Sequence, residues 1–517
     1  MSNKASDQLH KLIHSLSKSE KRHFKLFASR HTSADENKYV KLFDLIEEQK
    51  EYDEELLFKK LKSDPILNNF SIAKNRLYDS VLRSLDTFHA QSSIDAQLKR
   101  DLHSAEILYK KTLYDQAAKI LGSARKVALK YERYSTLLEI RQWEKRIIET
   151  DNYSGKTDDD INNLLGGDED IARKIKNFND FWNIKSRFFM LLHKAGKVRS
   201  AEEMKKFKAI IAHPLLRSEE EALTHETKYL FHHIYSAYYF GIDEYENCYE
   251  HHTRNIELIE SKTDIFREEP NIYFSILTNA IYVGSQLKKY AEVFTYLEKL
   301  HNVHKIFAID KNEDMEIKLF SSGLSIEITL HNSMGEFEKS IALIPKIEEG
   351  LKQYEGKINP TRRGYFLLNM AVANFGIAEY NKALKYVNSL LNDAEINESQ
   401  DIHCFARILD LIIHLELGNE DLIPYSYKST LRYLQTRKRV YKFETTFLEF
   451  MGKLMKEGNV NDNKSLYAEL ETELVKLTSD SFEKAVFEYF DFISWAKSKA
   501  ERRRFRDVVG EKVLAEK

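Results

Sequence analysis

Residues 366–391 read FLLNMAVANFGIAEYNKALKYVNSLL. A first apolar helix carries the small residue Ala371 near its middle and ends around Gly376. A short turn follows. Tyr380 then opens a second apolar run, with two spacers and the small residue Ala383 behind it. The same layout recurs at Tyr114-Asp-Gln-Ala117, Tyr245-Glu-Asn-Cys248, Tyr290-Ala-Glu-Val293 and Phe337-Glu-Lys-Ser340, with a weaker copy at Val198-Arg-Ser-Ala201. The aromatic packs the turn, and the small residue three positions later lets two helices approach closely. One such hairpin buries only part of its apolar surface, so neighbours must stack to complete the core.

From Val198 onward the anchors are 47, 45, 47 and 43 residues apart. Between Tyr114 and Val198 there is room for one more hairpin, whose turn is expected within Thr150–Asp160, rich in Asp with Gly155. Between the anchors, apolar residues recur in steps of three and four, as at Leu102, Ala105, Leu108, Leu113, Ala117, Ile120, Leu121, Ala124 and Ala128, which places them on one helix face. Only 6 prolines and 17 glycines occur in 517 residues, which suits long helices with few connections.

On these residues, roughly Leu102 to Leu422 resembles tetratricopeptide (TPR) repeats, most closely through Ala371, Gly376, Tyr380, Ala383, Leu384 and Tyr386. It departs from them in its longer period and in lacking the first-helix tryptophan and the Leu-Gly pair. The whole chain also resembles a group of long uncharacterised helical proteins of Bacteroidota, which implies a bacterial cytoplasmic protein and supplies no activity. The expected fold is therefore all-α: an α-solenoid of stacked antiparallel helix hairpins, TPR-like with a period of about 40–47, closed by helical caps. The expected domains are an N-terminal helical cap module over 1–95, repeats over 96–424 and a C-terminal cap over 425–517. Cap helices are predicted at Asp7–Ser29, Glu36–Gln49, Glu54–Lys62, Ser71–His89, Tyr425–Glu457, Lys464–Thr478 and Ser481–Arg506.

Charge and cysteines bound the function. Basic residues number 79 and acidic ones 81, so no global field draws in nucleic acid or an anionic membrane. Two cysteines, Cys248 and Cys404, suit a reducing compartment. No N-terminal apolar stretch and no run of about 18–20 apolar residues is present, so the expectation is a cytoplasmic protein without a membrane span.

No phosphate-cradling GxxxxGK[ST] and no G-x-S-x-G nucleophile elbow occurs, so a non-enzymatic chain without cofactors is expected. His225, His232, His233, Cys248, His251 and His252 crowd one hairpin. Within it His232, Cys248 and His252 are candidate zinc ligands, although no CxxC or HExxH pattern accompanies them, and a buried polar seam explains them equally. The TPR resemblance implies that an asparagine on the inner face of a first helix bonds a peptide backbone. Asn279 and Asn369 each precede their aromatic anchor by eleven residues, whereas Ile326 holds that place in the hairpin between them. With Tyr282 and Phe375 they form the expected contact surface for an unknown protein or peptide, making the chain an interaction scaffold or adaptor. An exposed polar position, or a bond to a neighbouring hairpin, would account for the asparagines otherwise.

The alternative is a regulator whose N-terminal helical module binds nucleic acid through Lys74, Arg76 and Arg83, while the repeats sense a ligand or partner. Lys18, Lys21, Arg22, Lys25 and Arg30, and the runs Arg437-Lys-Arg439 and Arg502-Arg-Arg504, add local basic charge. A solvated charged face accounts for these as well.

Overall fold

The computed structural model describes residues 7–30, 36–62, 64–90, 93–195, 197–198, 200–309, 313–396, 400–436, 441–457, 463–480 and 483–515. Among them there are helices and turns and no strand, and each helix packs chiefly on its neighbours in the chain. The fold is all-α, a helical array of the kind the hairpin layout predicts. No described helix is long and apolar enough to cross a membrane. The chain divides into two compact units, Met1–Trp182 with Ala222–Thr227, and Asn183–Glu221 with Lys228–Lys517.

The five aromatic anchors are each the first residue of a helix: Tyr114–Lys130, Tyr245–Ser261, Tyr290–His301, Phe337–Gln353 and Tyr380–Leu391. The small residues three positions on, Ala117, Cys248, Val293, Ser340 and Ala383, are all 0% exposed. One backbone device precedes every anchor. The residue two before it (Thr112, Asp243, Lys288, Gly335 or Ala378) has φ near +60 to +71°. The next amide reaches back across the turn, as in Leu113 N to Leu108 O at 3.0 Å, Glu244 N to Tyr239 O at 2.9 Å and Glu379 N to Asn374 O at 2.9 Å. This left-handed stop satisfies helix-end carbonyls that water would otherwise have to cover.

The device also marks a site that the anchor pattern passes over. Glu132 has φ +55° and Tyr134 opens helix Tyr134–Thr150, with Leu137 buried behind it. The weak copy at Val198 differs: helix Ala201–Ile211 starts instead on Ser200, whose hydroxyl caps Glu203 N. The expected turn near Gly155 lies between Tyr134–Thr150 and the 38-residue helix Asp158–Ala195, which begins where Thr157 and Asp160 cap each other's amides.

In the first unit, Leu9, Ile13, Phe24, Phe43, Leu57 and Leu77 share one core, and Leu98, Leu121, Ala124 and Ile140 another. The expected first helix is split into Gln8–Ser15 and Lys18–Arg30, because Ser17 and Glu20 form a reciprocal capping box. In the second unit the expected last helix is broken as well. A 3-10 turn at Lys484–Glu488 leads to helices Phe492–Glu501 and Phe505–Ala515, the break between them falling at left-handed Arg502. These last elements fold back onto the repeats. Phe490, Phe492, Trp495, Phe505 and Val509 join Phe337, Phe375 and Phe447 in one large core. Trp495 Nε1 donates to Glu416 at 2.8 Å. Gly376 permits the tightest approach here, since a Cβ on it would lie 2.2 Å from the Phe337 ring.

A non-glycine residue in the left-handed region costs about 1–2 kcal/mol, and glycine gives back about 0.5–1 of that through unfolded-state entropy. Ala378 is exposed at such a position, with φ +62°. Ala378→Gly should therefore stabilise the protein by ~0.5–1 kcal/mol, read as a higher midpoint in a urea melt; a lower midpoint would show that the turn is held by something other than backbone geometry.

Candidate functional site

The first helices of three successive hairpins, Pro270–Gln286, Ser325–Ser333 and Pro360–Gly376, line a groove of about 350 Å³ in the second unit. Helical spacing brings polar Thr278, Ser285, Thr329 and Asn369 to it beside apolar Ile281, Ile326, Leu330 and Leu368. The middle helix is preceded by a π-helical stretch, Leu319–Leu324. Such wide turns recur where a helix serves a site. One rim is formed by Glu488 and Tyr489 from the C-terminal segment. Glu488 Oε1 accepts from Tyr282 Oη at 3.4 Å. The Tyr489 ring lies parallel to Tyr365 at 6.0 Å, and their hydroxyls are 3.2 Å apart.

The four expected contact residues fare differently. Tyr282 lines the groove and is 40% exposed. Asn279, on the same helix, is exposed and is not among the lining residues. Asn369 lines the groove, but its amide is already engaged. Nδ2 donates to Tyr365 O at 3.0 Å, and Oδ1 accepts from Thr329 at 3.3 Å and from Asn332 at 3.2 Å. Asn369 is thus bonded to a neighbouring hairpin. Phe375 is a core residue rather than a contact surface. It is 1% exposed, with Tyr380, Phe490 and Phe505 rings 5.1 to 5.4 Å away. Arg362, Tyr365 and Tyr489, which the repeat pattern does not single out, line the groove. Arg362 carried a signal, since none of the positions three or four residues away from it is acidic.

The histidines form a seam and not a cluster around one point. His232 Nδ1 and His251 Nδ1 are 2.9 Å apart and share a proton, and His232 Nε2 lies 3.4 Å from Glu219. The His251 ring is stacked on Tyr235 and Tyr239. His233 lies between Phe189 and Tyr229. His252 is buried with Nδ1 unbonded, and burial pushes the Cys248 thiol up to about 12. His232 therefore turns to His251 rather than to Cys248 and His252, and no three His, Cys, Asp or Glu side chains among the described residues are grouped to hold a metal. His225 belongs to the first unit, where it meets Glu132 at 2.8 Å.

The basic residues proposed for nucleic acid are partly spent. Lys74 pairs with Glu54 at 2.8 Å and lies over the Tyr52 and Phe70 rings. Lys21 and Lys25 pair with Glu47 at 3.2 Å. Arg76 and Arg83 are exposed on helix Phe70–Phe88. Arg503 pairs with Glu501 and Glu511. The run Arg437-Lys-Arg439 and the Arg30 side chain lie outside the described residues. A second cleft, of about 540 Å³ in the first unit, holds Arg125 and Arg141 beside Glu144, with Arg141 also paired to Asp168 at 3.2 Å.

No protein-family model matches the chain, and a comparison with curated proteins finds no match.

Asn369→Ala should lower stability by about 0.5–1.5 kcal/mol, because Asn332 and Thr329 lose a side-chain acceptor while Asn332 Nδ2 keeps its 3.0 Å bond to the carbonyl of residue 369. An unchanged melt would show that the bridge contributes nothing. Burial holds His252 near pKa 3, and His232 and His251 near 4, below the ordinary value for histidine. The unfolded chain therefore binds more protons as pH falls below about 6.5. The contribution of these residues is present above that pH and is lost as pH falls towards their folded values. His252→Leu should recover ~2–3 kcal/mol of the stability lost between pH 6.5 and 4.5, measured as the difference between urea midpoints at the two pH values.

Proposed function

We propose that the chain is a non-enzymatic interaction protein whose second unit docks a segment of a protein partner in the groove formed by Pro270–Gln286, Ser325–Ser333 and Pro360–Gly376. The observation that carries this reading is the lining. Exposed Tyr282 and half-buried Ile326 and Tyr365 stand beside hydroxyl and amide groups from three successive hairpins. Aromatic and apolar surface rimmed by polar groups is what a peptide needs, with its side chains desolvated and its backbone still hydrogen-bonded. The repeats supply it as a by-product of stacking, because equivalent faces of successive first helices come side by side. The resemblance to TPR arrays fits this role, and the resemblance to Bacteroidota proteins supports reading it as a bacterial cytoplasmic scaffold or adaptor.

A photo-crosslinking residue replacing Ile326 should trap a partner polypeptide in cells expressing the full chain. The same residue at exposed Glu349, on helix Phe337–Gln353, should not. Equal trapping at both positions would remove the groove from consideration.

A further inference from the structure

Arg362 and Arg363 are adjacent, yet their guanidinium groups have opposite surroundings. Arg363 Nε donates to Asp393 and Nη2 to Glu395, both at 2.9 Å. Arg362 lines the groove; among the described residues the one hydrogen bond of its guanidinium runs from Nη1 to Ser325 Oγ at 3.5 Å, with no carboxylate paired to it. Five N–H donors thus share a single long bond to a neutral hydroxyl. The side chain is half-buried, and loss of solvent lowers its pKa from the ordinary arginine value while the group stays charged. A cation drawn partly out of water without a counter-ion lowers the stability of the fold and raises its affinity for an anion.

The rim indicates which anion fits. Glu488, an internal side-chain carboxylate, rests on the Tyr282 hydroxyl, and its neighbour Tyr489 lies flat along Tyr365, one turn beyond Arg362. The chain's own segment thus places an acidic residue and an aromatic side by side on this surface. Taking the docking groove as given, we infer that its occupant is a partner segment carrying an internal aspartate or glutamate, whose carboxylate is received by Arg362. The residues flanking that acid lie over Ile326, Leu330 and Leu368. The planar fork of the guanidinium matches both carboxylate oxygens, which a lysine at this place would not do.

The test is selection of a degenerate library of blocked heptapeptides, acetylated and amidated, on the full chain, on Arg362→Gln and on Ile326→Arg. The wild type should enrich Asp or Glu at one position, and Arg362→Gln should lose that preference. Ile326→Arg should retain no peptide. For a single selected peptide, Glu→Gln should weaken binding by about tenfold to a hundredfold on the wild type and by little on Arg362→Gln. Arg362→Gln should melt no lower than the wild type, since it removes an unpaired charge. A marked drop in its melting temperature would make Arg362 a structural residue and overturn the inference. Peptides that need Ile326 but show no acidic preference would overturn it too, leaving the groove itself standing. Selection only from an unblocked library, with free C-termini, would overturn the side-chain assignment. Absence of any peptide that depends on Ile326 would overturn both the groove and its occupant.

Discussion

The left-handed residue two places before each aromatic anchor is the constraint on which the hairpins depend. It ends one helix, lets its own amide and the next one donate to the helix's last carbonyls, and points the chain back along itself. Only then can the aromatic close the turn and the residue three later reach the facing helix. The same geometry at Thr112, Asp243, Lys288, Gly335 and Ala378 means that the repeat is defined by its backbone, and its side chains vary around that backbone. Equivalent faces of successive first helices then come into line, and the groove is one outcome of that alignment.

Within the second unit the chain uses this aligned surface twice. One part is covered by its own C-terminal elements, where Phe490 and Phe505 close over Phe375, and Glu416 ties in Trp495 and Lys499. The adjoining part stays open between Tyr282, Ile326 and Tyr365. The difference is chemical. The covered part is almost wholly aromatic and aliphatic, whereas the open part mixes hydroxyls, an amide and an unpaired guanidinium. Closing that part with the chain's own apolar side chains would leave those groups unsatisfied.

The hairpins were legible because their grammar is local. An aromatic, two spacers and a small residue lie within one turn of helix, and their consequence, full burial at the fourth position, follows wherever the pattern is strong. The turns were less so. Glycine or asparagine suits a left-handed position best, yet threonine, aspartate, lysine and alanine fill four of the five, because the helix–helix contacts outweigh a cost of about 1–2 kcal/mol. Tyr134 escaped notice because large Leu137 stands where a small residue was sought. The site was legible only in part. Tyr282 and Asn369 lie in the groove, but Asn369 is committed to Asn332, and Phe375 is covered by residues more than a hundred positions away, which no local pattern reveals. The histidine seam was visible as composition, whereas its pairing, His232 with His251, depends on how two helices are rotated against each other.

The return of the C-terminal helices to Phe337 and Phe375 has a temporal consequence. A ribosome makes the chain from its N-terminus, so the hairpin that ends at Leu391 is finished 114 residues before Phe505 exists to cover it. At ~5–20 residues per second that is a wait of roughly 6–23 seconds. Through that interval Phe337 and Phe375 have no lid, and a chain cut short before Phe490 would leave them so permanently. The segment from Phe490 to Val509 is in this sense a late lid: the nascent chain hides this aromatic surface only once that segment has been made.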